Sequence, residues 1–208
     1  MPIRLETSAA TFWPQFEALL ASKREVSQDV EAAAAAIVED VRTRGDEALA
    51  EYSLRFDRID LPRLGVRISE DEIAVALGDC DAEALRALEF AHTRILAYHQ
   101  RQKPQDVVFT DSLGVELGWR WRPIESVGLY VPGGAASYPS SVLMNAAPAK
   151  VAGCARIAMT APTPDGRMNP LVLAAARLAG VDEIYRLGGA QAIAALAHGT
   201  ASIRAVSK

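Results

Sequence analysis

From Ser126 onward the chain repeats one pattern. A short apolar run is followed by a turn and then by a helix-like stretch. The runs are Val127–Val131, Arg156–Thr160 and Glu183–Leu187. The helical stretches are about Ser140–Ala152, Asn169–Leu178 and Ala190–His198. Short apolar runs without alternation suit strands that are buried on both faces. Strands that alternate with helices cannot pair as hairpins; they form a parallel sheet with right-handed crossovers. The expected fold is therefore α/β, with a Rossmann-like parallel sheet unit of βαβαβα type. Pro148 falls inside the first of these helices and is expected to kink or shorten it.

The preceding half has a different character. Residues 1–24 resemble a helical arm, with Phe12, Trp13, Phe16, Leu19 and Leu20 at helical spacing, so one face should pack on something. Ser27 is placed to cap the next helix, "SQDVEAAAAAIVEDVRTR", which carries Val30, Ala34, Ile37 and Val41 on one stripe. Gly45 stops that helix, and Asp46 is placed to cap the one after it. The Arg44-Gly45-Asp46 tripeptide is explained by this junction. "GVRISEDEIAVAL" predicts a short strand and then a helix with Ser69 and Glu72 as a capping box. A long helix over about Ala82–Gln102 should end before Pro104. The alternating stretch "DVVFTDSLGVELGWRWRPIESVGLYVP" predicts a hairpin that leads into the first parallel strand. The expected order is a helical arm (1–24), a mainly helical α+β region with a hairpin (25–125), and a Rossmann-like unit (126–208).

Composition narrows the function. The chain has 208 residues, 50% of them hydrophobic, and a net charge of −4. No basic run points to nucleic acid. No apolar run reaches the ~18–20 residues that span a bilayer. The first residues lack the pattern of a secretory signal, so the expected location is cytoplasmic. Cys80 and Cys154 are the only cysteines and form no CxxC; they are most simply small buried hydrophobes.

Two Gly-Gly loops follow strands, Gly133-Gly134 and Gly188-Gly189. Both should lie at the carboxyl edge of the sheet, where α/β proteins bind ligands. Glycine lets a ligand approach the backbone, and helix N-termini favour phosphate. Neither the G-x-G-x-x-G spacing nor a P-loop is present, however. The second strand ends in Thr160-Ala161-Pro162, with no acid to hold a ribose. The residues leave two alternatives, a nucleotide loop or tight strand–helix turns. Tyr130 precedes the first loop, where its ring could face a ligand or simply pack. His92 and His99 are seven residues apart on one helix, ~10 Å along its axis, too far for one ion. His198 ends a helix, where a cation suits the dipole. The carboxylates Glu70, Asp71, Glu72, Asp79 and Asp81 lie at helix starts, where capping accounts for them. Ser137, Ser140 and Ser141 have no partnered His or Asp and fit loop or capping positions.

Three stretches resemble the histidinol dehydrogenase family in order and spacing: "VRTRGDEALAEYSLRFD", "RPIESVGLYVPGGAASYPSSVLMNAAPAKVAGC" and "LGGAQAIAALAHGT". The resemblance runs from about Val26 to the end. It implies an NAD- and zinc-dependent enzyme that oxidises L-histidinol to L-histidine through the aldehyde, in histidine biosynthesis. It also implies a homodimer with two incomplete Rossmann-like domains, of which residues 25–125 would be an incomplete first α/β domain and residues 126–208 a truncated NAD-binding domain. By motif, Tyr130 and Gln191 correspond to NAD contacts. A third NAD contact, the zinc ligands and the Glu–His pair that moves protons belong to segments expected beyond Lys208. No catalytic or metal residue is therefore assigned here, and the chain by itself is expected to be inactive and prone to associate. The alternatives are a paralogue acting on another polar alcohol and a non-catalytic α/β binding fragment.

Overall fold

The computed structural model describes residues 3–24, 28–133 and 138–208. Helices come first: α1 (Phe12–Arg24), α2 (Gln28–Arg44), α3 (Asp46–Asp57), α4 (Leu61–Leu64), α5 (Glu70–Gly78) and α6 (Ala82–Gln100). A hairpin of β1 (Val107–Thr110) and β2 (Glu116–Trp119) leads into β3 (Ser126–Tyr130). Then come α7 (Pro139–Ala152), β4 (Arg156–Thr160), α8 (Pro170–Leu178), β5 (Glu183–Tyr185) and α9 (Gly189–His198). A single 3-10 turn, Pro164–Gly166, interrupts the loop between β4 and α8.

Local chemistry sets most of these boundaries. Ser69 and Glu72 form a reciprocal capping box that starts α5. Asp81 accepts from the Glu83 and Ala84 amides at the start of α6, at 2.9 and 3.0 Å. Asn169 caps α8 through the Leu171 amide at 2.9 Å.

Four expectations change. Asp46 is the first helical residue of α3, not its cap; Gly45 takes the cap position, and the Asp46 carboxylate accepts from Ser202 Oγ at 2.7 Å. Pro148 does not end α7, which continues to Ala152. Proline there removes the amide that would bond Met144, and Met144 faces solvent, where water can serve the freed carbonyl. Ser140 and Ser141 are not caps, because Tyr138 precedes Pro139 as the cap and both serines sit in the first turn of α7. The strand expected before α5 is reduced to one antiparallel bridge, Arg67 with Tyr185. The capping role expected of Ser27 lies outside the described residues.

The parallel sheet has the order β3-β4-β5. Both of its edges are covered. Ile68 N donates to Ile184 O and Arg186 N to Val66 O, at 2.8 and 2.9 Å, along the outer side of β5. On the free side of β3, Ser207 N donates to Ser126 O at 3.1 Å and Gly128 N to Lys208 O at 2.8 Å. The tail therefore runs beside β3 in the same direction, opposite β4. Arg156 fixes it: the guanidinium pairs with Glu183 at 2.7 Å and reaches the carbonyls of Arg204 and Ala205.

Helices cover both faces of this sheet. Met159 and Ile184 point into one core with residues of α5, α7 and α8, and α6 packs on its outside. Ala158 and Tyr185 point into a second core with α2, α3, α4 and α9. By contrast, the hairpin is bare. Register places Val107, Phe109, Leu117 and Trp119 on one face, and the last three remain about half exposed. The rings of α1 pack chiefly on one another, with Phe12 and Phe16 stacked at 5.5 Å, while Trp13 stays 67% exposed. Among the described residues no helix is long and apolar enough to cross a membrane.

Arg186 is the most buried charged side chain of the cores, at 3% exposure. It donates to both oxygens of Glu72 at 2.7 Å and so ties α5 to the end of β5. Burial pushes the Glu72 carboxyl up, but hydrogen bonds from Arg186 and from the Ser69 amide outweigh this and hold it below its ordinary value. A lowered folded pKa means stability that is present above the unfolded value and lost as pH falls below ~4.3. Replacing Glu72 with Ala removes a cap and strands a buried guanidinium. The expected loss is about 2–3 kcal/mol in urea denaturation at neutral pH. The same variant should show a shallower acid limb than the parent as pH falls below ~4.3.

Candidate functional site

The carboxyl edge of the sheet is built around Pro162, two residues past β4. Gly133 and Gly188 flank it from the loops that follow β3 and β5. A Cβ on Gly188 would stand 2.8 Å from Pro162 Cβ, and one on Gly133 would stand 3.0 Å from Pro162 Cγ. Gly188 has φ −117°, a conformation open to any residue, so close approach rather than backbone geometry demands glycine there. Both turns thus have a packing reason to lack side chains, independent of any ligand.

Tyr130 spans this edge. Its side chain lies on the α9 side of β3, and its hydroxyl accepts from Gly189 N–H at 3.1 Å. Gln191, in the first turn of α9, is 1% exposed. Its Oε1 has no hydrogen-bond partner within the described residues, and neither have Thr160 Oγ1 and Thr163 Oγ1, both fully buried. A buried polar atom left unpaired costs ~1–3 kcal/mol, so three near one sheet edge mark a place made for further polar contacts. The N-terminus of α9 carries no side-chain cap and no acid in its first turn. Apart from Gly189 N–H, which goes to Tyr130, the amides of that first turn therefore favour an anion.

Topology points to the same place. Helices α7 and α8 cross on one face of the sheet, whereas α9 crosses on the other and delivers the tail to the far side of β3. The direction of winding thus reverses at β3. Open α/β sheets bind ligands in the crevice at such a reversal, beyond the carboxyl ends of the strands. Tyr130 is the last residue of the strand where it occurs. A cleft of about 80 Å³ continues this edge between Val131–Gly133 and the loop carrying Pro162, Arg167 and Asn169. A larger cavity, about 620 Å³, lies elsewhere, against the C-terminal ends of α6 and α7, with His99, Lys103, Trp121 and Arg122 among its lining. Size alone favours that cavity. The strand reversal and the unpaired buried atoms favour the carboxyl edge.

A family model described as histidinol dehydrogenase matches residues 20–208. The chain belongs to the histidinol dehydrogenase family. The histidinol dehydrogenase of Bradyrhizobium diazoefficiens is 64% identical over all 208 residues of this chain, which cover 48% of that protein. That of Nitrobacter winogradskyi is 61% identical over the same span, again 48% of its length. The chain therefore spans about half the length of these relatives. A crystal structure of histidinol dehydrogenase from Elizabethkingia anophelis superposes with a TM-score of 0.83 at 35% identity, covering 88% of this chain and 42% of that one.

Other residues singled out in the sequence fall into place around this family fold. His92 is half-buried, and burial holds its pKa below the ordinary range. His99 meets Gln102 at 2.7 Å, and His198 ends α9, so the histidines are not brought together. Glu70 pairs with Arg177 at 2.6 Å. Asp81 and Glu72 serve as caps. Cys80 and Cys154 are free thiols, and Cys154 is buried. Among the described residues no group of three His, Cys, Asp or Glu could hold a metal. Gly134 and Ser137 lie outside the described residues. Sequence reasoning missed Pro162, Thr160 as a polar atom of the edge, and Thr163. A proline two residues past a central strand, with Gly-Gly after both neighbouring strands, was the available signal.

The packing argument has a direct check. Gly188→Ala should lose about 1–3 kcal/mol of stability through overpacking. Gly188→Ala should cost less in a Pro162→Gly background than in the parent, because that background lacks the Cβ and Cγ that the new methyl meets. Chemical denaturation of the parent, both single variants and the double variant measures both. A Gly188→Ala protein as stable as the parent would contradict the close approach.

Proposed function

We propose that this chain supplies the NAD-binding edge of a histidinol dehydrogenase that oxidises L-histidinol to L-histidine. The observation that carries the proposal is the pairing of Tyr130 with the uncapped start of α9 beside the buried, unpaired Gln191. In this reading Tyr130 and Gln191 contact NAD. The tyrosine hydroxyl, already bonded to Gly189, fixes the ring against the edge. The Gln191 amide offers its free acceptor to a ligand group, and the α9 amides face the cofactor's phosphates.

The edge fits such a cofactor in the character of its polar atoms and in its place at the strand reversal. Bound NAD supplies a hydride acceptor. Glycine turns let it lie close to the backbone, and the apolar surroundings of Tyr130 limit water on its inner side. Zinc is different. The described residues offer no ligand set for it, so no step through zinc is derived from this chain. Within the proposal, residues 126–208 form the nucleotide domain, residues 25–125 part of a first domain, and residues 1–24 an arm. The intact enzyme acts in the cytoplasm as a homodimer, with zinc and the proton-transfer groups held by segments outside these residues.

NAD titration followed by calorimetry tests the assignment. The chain should bind weakly. Tyr130→Ala/Gln191→Ala should weaken binding by about tenfold or more, the loss expected when two contacts go. Equal curves for parent and double variant would remove both residues from the site. The same preparations mixed with histidinol and NAD should form no NADH, and turnover would overturn the placement of the proton-transfer groups outside this chain.

A further inference from the structure

The loop that presents Pro162 is attached to the rest of the molecule in an unusual way. Its backbone bonds are local: Gly166 N to Thr163 O at 2.8 Å and Arg167 N to Pro164 O at 3.2 Å. Among the described residues, the polar link from residues 162–168 to a distant element is a single ion pair. Arg58 Nε and Nη2 donate to the two oxygens of Asp165 at 2.6 and 2.8 Å, a two-pronged pair spanning 107 residues of sequence.

Both partners have uncommon backbones. Arg58 and Asp165 are the non-glycine residues with positive φ among the described residues, at 57° and 56°. Arg58 ends α3 in the left-handed conformation, which turns its side chain off the helix axis. Asp165 sits in the 3-10 turn, where its left-handed backbone presents the carboxylate outward. Left-handed backbone in a non-glycine residue is disfavoured, and it persists where its surroundings over-determine it. Here the two left-handed residues meet each other. Beneath them, α3 packs against the turn. Ser53 Oγ on α3 and Thr163 Oγ1 in the loop are both buried without a partner. Among the described residues the pair therefore carries the polar attachment of the loop.

We propose that Arg58 and Asp165 are positioning residues for the nucleotide edge: their ion pair holds the loop after β4, and with it Pro162, against the two glycine turns. The inference rests on the reading of this edge as the NAD site. Arg58 lies on the opposite side of the fold's sequence from the edge motifs, yet it sets the wall that those motifs lean on. The Arg58 guanidinium keeps the Asp165 carboxyl below its usual range. The pair is thus charged at neutral pH, where added salt loosens it. Both side chains are about 60% exposed, so screening by ions reaches them.

The test uses Arg58→Ala, Asp165→Asn and the double variant. Asparagine tolerates the left-handed backbone and keeps the shape, so Asp165→Asn should fold normally. Two readouts are taken at low and high salt, with urea denaturation alongside. Amide hydrogen exchange over 162–168 should be faster in each single variant, no faster in the double, and in the parent should approach the variants at high salt. NAD should bind about two- to fivefold more weakly to each single variant at low salt, with no further loss in the double. Unchanged exchange over 162–168 would overturn the latch itself. Faster exchange with unchanged NAD affinity would overturn its positioning role. Absence of NAD binding by the parent would overturn the nucleotide reading and the positioning role with it, and the exchange data would still decide whether the latch exists.

Discussion

The ring of one proline sets the spacing of the whole carboxyl edge. Pro162 stands at the end of the central strand, and its two neighbours must give way to it. They do so by lacking side chains: Gly133 after β3 and Gly188 after β5 would each place a Cβ within 3.0 Å of the ring. The three strand ends are thereby drawn together more closely than ordinary side chains allow. Tyr130 can then bridge from the end of β3 to the start of α9 with a single hydroxyl. The edge is narrow because it is packed from within, and the uncapped amides of α9 are left at its rim.

That constraint changes how the glycines are understood. A glycine pair after a strand suggests a phosphate loop or a tight turn, and the two possibilities are usually set against each other. Here the turn has its own requirement, independent of any ligand. The case for a cofactor passes instead to Tyr130, to the unpaired Gln191 and Thr160, and to the reversal of winding at β3. These are statements about polar atoms and topology, which bear on binding more directly than glycine spacing does.

Much of the architecture was legible in the sequence. Strand β4 and the starts of α5 and α6 follow from an apolar run and from caps at Ser69 and Asp81, because those signals act over a few residues, and α8 starts within one residue of its expected place. Long-range features were not legible. The short strand expected before α5 depends on the edge of β5, far later in the chain, and it shrank to a bridge because only one pairing is made there. Pro148 misled because its effect depends on which face of α7 meets water. Asp46 misled because Gly45 took the cap position and Ser202, far along the chain, claimed the carboxylate. For the proposed site, motif resemblance singled out Tyr130 and Gln191, and the structure places both at the carboxyl edge. Pro162 and the Arg58–Asp165 pair were not, since each is defined by contacts between segments that no local pattern relates.

The sheet is only three full strands wide, and consecutive residues of β4 belong to different cores: Ala158 faces α2, α3 and α9, whereas Met159 faces α5, α7 and α8. The two helical layers therefore touch one another mainly through the strands. Such a sandwich opens in leaves. The layer of α2, α3 and α9 carries the ends of both the ion pair and the tyrosine bridge, so partial opening of that leaf alone would dismantle the carboxyl edge while the other leaf kept its packing. Adjacent positions in one strand thus report on separately melting halves of the molecule, and loss of binding need not wait for loss of the fold.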